Sequence, residues 1–274
     1  MRLKTALFVI AAFTASSLLA PLHAEQAKPA QAVEIPLNPL PFVLKGSLRR
    51  PEGEGRFPAI VLLPACGASA DSVDQEWAQA LTSWGFVALT LDVFTPRGIV
   101  GKHTCLSLAP PELAEDAYRG LNLLAARKDV DAKHVFVAGF GRAGSLVFAA
   151  VESDGIEHTA TRKFRGAVAF YPPCGDVKGV MTVATLVIIG ARNQRLLESC
   201  RKMAEGEDDA GISRKPGAGA PIQFSVIADA HFGFDLPAFK TPVDVDGIHL
   251  EYSKAAVDQA REVLRRFLQS QLDR

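Results

Sequence analysis

The sequence has no excess of charge of either sign: its 274 residues carry 30 Lys+Arg against 30 Asp+Glu, and its pI is near 7.0. Without a net field or a local basic stripe to draw in polyanions, a nucleic-acid partner is excluded. Internal repeats are absent, and so are the CxxC and HExxH spacings of common zinc sites, so no metal and no cofactor is expected. With 48% hydrophobic and 22% charged residues, disorder, collagen-like repeats and a multi-span membrane protein are excluded as well. The N-terminal apolar run, Ala6 to Ala20, is shorter than the roughly 20 residues of a spanning helix and is interrupted by Thr14, Ser16 and Ser17. No stable membrane span is expected. Arg2 and Lys4 precede that run and Leu22-His23-Ala24 closes it on a small residue, the layout of a secretory signal. Residues 1–24 therefore read as a signal peptide, residues 25–274 as one domain starting at Glu25, and the protein as periplasmic or secreted. What remains as a partner is a small molecule or another protein, and no pattern implies an oligomeric state.

After a polar leader over 25–32, two strand-like stretches, Val33 to Leu37 and Phe42 to Leu48, suggest an antiparallel start. From Pro58 the character changes. The run Ala59-Ile60-Val61-Leu62-Leu63 is what a strand buried on both faces looks like, as parallel sheets require. A helix follows with Trp77, Leu81 and Trp84 on one face and Gly85 at its end. The cycle repeats through a strand Phe86 to Leu91, a helix Pro111 to Arg127 and a strand His134 to Ala138. Gly166 to Tyr171, Ala184 to Gly190 and Ile222 to Ile227 supply further strands, and Ser253 caps a last helix with Val257, Ala260, Leu264 and Phe267 inward. Such alternation implies a doubly wound α/β fold, a mostly parallel central sheet with helices on both faces. Ala204 to Ala220, rich in Gly, Asp and Glu, is the one sizeable flexible candidate.

Ligands of such sheets bind at the carboxyl ends of the strands. The turn after the strand ending at Ala138 reads Gly139-Phe140-Gly141-Arg142-Ala143-Gly144 and leads into an apolar helix. That is the placement of the G-x-S-x-G nucleophile elbow, with Gly141 where the nucleophile would stand. The chain here resembles the dienelactone hydrolase family of α/β-hydrolases, particularly its exported members. The likeness extends over Phe57-Pro-Ala-Ile-Val-Leu-Leu-Pro-Ala-Cys-Gly67, similar to the family's first central strand and oxyanion turn, and over Leu91-Asp-Val-Phe-Thr-Pro-Arg-Gly98. It continues through Phe170-Tyr-Pro-Pro-Cys174 and Ala230-His-Phe-Gly-Phe-Asp235, similar to the family's histidine loop. The resemblance implies an α/β-hydrolase fold and ester or lactone hydrolysis by a triad in the order nucleophile, acid, histidine. All three positions are changed: Gly141 for the nucleophile, Asn193 for the acid and Phe232 for the histidine, with His231 one residue upstream.

The expectation is thus a pseudo-hydrolase without catalytic residues whose old site binds a small apolar or aromatic ligand, lined by Ala65, Cys66, Gly67, Phe140, Arg142 and His231. Arg97 and Arg142 are candidates to hold a carboxylate. Ser145, one helical turn past the elbow, reads as structural. The rival enzyme would use Cys66 as an unconventional nucleophile or His231 as base; a further rival is a structural or partner-binding protein. Cys66, His103 and Cys105 are a remoter metal set. Four cysteines, all after the signal, favour disulfides in an exported chain, and of three connectivities Cys66 with Cys105 and Cys174 with Cys200 is expected, each pair linking turns at the carboxyl edge.

Overall fold

The computed structural model describes residues 29–100, 110–175, 177, 180–205, 218–245 and 247–273. The expected signal peptide, His103, Cys105 and residues 206–217 of the expected flexible tract lie outside the described residues. No helix among the described residues is long and apolar enough to cross a membrane.

Strand β1 (Gln31–Pro36) pairs antiparallel with β2 (Val43–Arg49), as the two opening stretches suggest. Six parallel strands follow: β3 (Phe57–Leu63), β4 (Val87–Asp92), β5 (Val130–Phe140), β6 (Gly166–Phe170), β7 (Thr185–Gly190) and β8 (Ile222–Ile227). The sheet order is β1-β2-β4-β3-β5-β6-β7-β8, and β2 joins β4 antiparallel. The chain steps from β3 outward to β4, then returns to the other side of β3 with β5. The carboxyl ends of β3 and β5 therefore flank the point where winding reverses, the natural crevice of a doubly wound sheet.

Period-two alternation divides the strand side chains between two cores. Val61, Leu89, Val137, Ala169 and Val187 face helices α3 (Pro110–Ala125), α4 (Arg142–Val151) and α5 (Gln194–Glu205). Ile60, Ala88, Phe136, Val168 and Leu186 face the helical stretch over 70–83 and α6 (Lys254–Leu272). That stretch comprises α1 (Ala70–Val73), a π turn (Asp74–Ala78) and α2 (Gln79–Ser83). Gly85 at φ 90° ends it, and the Ser253 hydroxyl caps α6 by accepting from the Ala256 N–H at 3.3 Å. Each of these strand side chains is sealed from water on both sides of the sheet, which for a Val, Leu, Ile or Phe is worth about 1.5–3 kcal/mol.

Three features differ from the sequence reading. Strand β5 starts at Val130, four residues before His134, because its register with β3 shifts between Phe57 and Ala59 and absorbs the added chain. Phe140, expected in the pocket, is fully buried: as an even-numbered residue of β5 it stacks on Phe170 at 4.5 Å, in the core under α6. A hairpin, β9 (Val243–Val245) and β10 (Ile248–Leu250), stands apart from the main sheet.

Candidate functional site

The elbow survives as backbone. Gly141 sits between β5 and α4 at φ 54° and ψ −121°, a left-handed conformation that only glycine adopts without strain. Its N–H donates to the Phe170 carbonyl at 2.9 Å, and its carbonyl accepts from the Gly144 N–H at 2.9 Å. The sharp turn needs Gly139 too, where an added Cβ would lie 2.3 Å from the Ala143 carbonyl oxygen.

No reactive group stands on that turn. A Cβ at Gly141 would meet Phe232 Cζ at 3.3 Å, Ala65 Cβ at 3.5 Å and Tyr171 Cε2 at 3.6 Å. Phe232, half-buried, packs its ring on Tyr171 at 4.8 Å. The space where a nucleophile and a base would meet is filled by this phenyl ring. Asn193 is occupied differently: its Oδ1 accepts the Leu196 N–H at 3.3 Å, so it serves as N-cap of α5. The Ser145 hydroxyl donates to the Pro173 carbonyl at 3.2 Å, a structural bond as its spacing implies. Arg97, a candidate for a carboxylate ligand, is instead paired with the fully buried Asp116 at 2.7 Å. Burial raises the Asp116 carboxyl above its ordinary range despite Arg97 and Arg119 beside it. Arg142, on the first turn of α4, is half-buried beside the elbow.

Cys66, half-buried next to exposed Gly67 in the turn after β3, is disulfide-bonded. It therefore carries no thiol for nucleophilic attack or metal binding; its expected partner Cys105 lies outside the described residues. Cys174 pairs with Cys200 across a Cα–Cα distance of 5.0 Å. The pairing is as expected, but Cys200 is on the buried face of α5 with Leu197 and Met203, not in a turn.

Beneath the crest lies a polar group that sequence reasoning passed over. Asp235 is buried at 1% exposure; its Oδ1 accepts from the Tyr171 hydroxyl and its Oδ2 from the Trp77 indole N–H, each at 2.7 Å. Burial pushes its carboxyl up to about 6, against the pull of the two donors. The Tyr171 hydroxyl is pushed well above 10, by burial first and by Asp235 second.

His231 is not at the elbow. It faces the hairpin, with its ring 4.4 Å from that of His249 and its Nε2 3.7 Å from a Glu251 oxygen. Burial, then the charge of His249, lowers its pKa; the Asp244 carboxylate bonded to His249 Nδ1 at 3.0 Å raises that of His249. The sequence spacings signalled no metal site, yet the fold gathers these two imidazoles and a carboxylate. Val243-Asp-Val245 and Ile248-His-Leu250 alternating around Asp246-Gly247 is the signal for the hairpin that does so.

No protein-family model and no curated protein sequence matches the chain. Solved structures do. A dienelactone hydrolase from Anabaena variabilis superposes with a TM-score of 0.65 at 15% identity, over 88% of this chain and 97% of that one. A dienelactone hydrolase-like promiscuous phosphotriesterase from metagenomic libraries gives 0.62 at 18% identity, over 89% and 98%. Esterase 2 of Thermogutta terrifontis, phosphoramylated by tabun, gives 0.62 at 16% identity, over 88% and 94%. At such identities the likeness is one of fold.

Proposed function

We propose that this chain, which has the dienelactone hydrolase-like α/β-hydrolase fold, is an exported pseudo-hydrolase that binds a small apolar or aromatic ligand instead of turning one over. The observation that carries the reading is the Phe232 ring 3.3 Å from the position a Gly141 Cβ would take. A serine hydroxyl is a weak nucleophile until an oriented base takes its proton, and here neither partner exists. The loss of the Cys66 thiol to a disulfide and the engagement of His231 with the hairpin count against the unconventional enzyme. The half-buried face of Phe232, with Ala65 and Gly141 beside it, offers a small apolar surface for a ligand. Disulfides at Cys66 and at Cys174–Cys200 favour an oxidising compartment.

Turnover of a simple aryl ester by purified protein tests the reading. The expected rate equals that of the heat-unfolded protein. Robust turnover that disappears in the His231→Ala variant would establish the enzyme instead.

A further inference from the structure

We propose that His231, His249 and Glu251 form a binding site for a single zinc-class divalent cation at the edge of the old catalytic crest. The site goes beyond the pseudo-hydrolase reading and stands whether or not any hydrolysis occurs.

Backbone register assembles it. Phe232 forms a parallel bridge with Leu250, which docks the β9–β10 hairpin against the loop after β8. Side chains alternate across extended chain, so while Phe232 turns to the crest, its neighbour His231 falls on the same side as His249 and Glu251. One ligand atom from each of the three then lies within 4.8 Å of the others. His249 Nε2 is 3.3 Å and His231 Nε2 3.7 Å from the same Glu251 oxygen.

The second observation lies behind the first. The Asp244 carboxylate on β9 bonds His249 Nδ1 at 3.0 Å and Nε2 meets Glu251 at 3.3 Å, so a cation would take the place of the Nε2 proton while Asp244 holds the one on Nδ1. Carboxylate, imidazole and metal in line is the arrangement by which outer carboxylates orient metal-binding histidines. Arg192, the cation acting on His231, is itself paired with Asp229 at 2.6 Å and does not close the site.

Two imidazole nitrogens and one carboxylate oxygen suit zinc, cobalt(II) and nickel(II), whereas calcium and magnesium want oxygen donors throughout. Ligand bonds of about 2.0–2.2 Å to zinc put tetrahedral ligand atoms about 3.3–3.6 Å apart. The three side chains are half-buried, and the two separations from Glu251, 3.7 Å to His231 and 3.3 Å to His249, already lie near that spacing. A fourth position stays open to water, since three ligands come from the described residues.

Calorimetric titration of untagged, chelator-treated protein with zinc sulfate tests the proposal, with a cobalt(II) visible spectrum as the second readout. One zinc per chain at micromolar affinity or tighter is expected, and a four-coordinate cobalt band. His231→Ala with His249→Ala should weaken binding at least about 100-fold, and Asp244→Asn about 10- to 100-fold, as the loss of an orienting carboxylate does elsewhere. Circular dichroism of each variant checks that the fold persists. Absence of saturable binding, or affinity within about tenfold of the parent in the double variant, overturns the site. Metal affinity is the readout, so its failure leaves the outcome of the ester assay untouched.

Discussion

Tyr171 divides two regions of opposite character. Below it, Asp235 satisfies both oxygens with the Tyr171 hydroxyl and the Trp77 indole, and three distant parts of the chain are tied together in a fully buried knot. Above it, its ring meets Phe232 over a bare Gly141, and the three atoms nearest a Cβ placed there are all carbons. The two regions are one residue apart yet answer to different demands. In the lower region the loss of a polar group would leave buried donors unmatched, whereas around the bare turn carbon packs on carbon. The elbow needs no side chain at its apex, since its backbone is held by its own hydrogen bonds, Gly141 N–H to the Phe170 carbonyl and Gly144 N–H to the Gly141 carbonyl.

The comparison breaks most visibly from below. Trp77→Ala removes a fully buried indole and strips Asp235 Oδ2 of its donor, so a loss of about 3–5 kcal/mol is expected. At about 2–4 °C per kcal/mol for a chain of this size, thermal unfolding should fall by roughly 10 °C. A shift under about 2 °C would mean that the knot contributes little.

The pH dependence of the knot is smaller and has a definite sign. Asp235 titrates at about 6 in the fold against an ordinary value of 3.8, so its neutral form is favoured by folding. That contribution is fully present below the ordinary value and is lost as pH rises through the folded one. The span is on the order of 3 kcal/mol. Urea unfolding across that window should show the parent losing stability relative to Asp235→Asn as pH rises. Parallel profiles for the two proteins would refute the assignment.

Much of this was legible in the sequence, and the parts that were not share a cause. The buried strands announced themselves as apolar runs, and β7 falls at Thr185–Gly190, within one residue of the reading, because a strand sealed on both faces has no choice of composition. The elbow was legible because its glycines are forced by close approach. Phe140 was misplaced by its nearness to Gly141 in the chain, when strand alternation sends it into the core. Trp77 fits a helical repeat, but only the π turn over Asp74–Ala78 and a contact 158 residues away turn it toward Asp235. The histidine cluster joins residues 231, 249 and 251: the alternation around Asp246-Gly247 signals the hairpin, but not that it docks beside His231.

The gentlest way to probe the upper region is Gly141→Ser. A side chain at φ 54° costs roughly 1–2 kcal/mol for the left-handed backbone, and its Cβ needs Phe232 to give by a few tenths of an ångström. The protein should therefore fold, with a slightly lower unfolding temperature. Ester turnover should stay at background, because the restored hydroxyl has a phenyl ring where its base belongs, and losing the base of a triad alone costs about a millionfold. Adding Asn193→Asp keeps the N-cap of α5, since aspartate caps as well as asparagine. Adding Phe232→His exchanges the ring that blocks the site for one that takes a proton. The triple variant is the first in the series expected to show turnover, provided the turn at Ala65 to Gly67 still presents its N–H groups to the developing oxyanion. Measurable hydrolysis by Gly141→Ser alone would show that a base already faces the elbow, and the contrast across Tyr171 would fail.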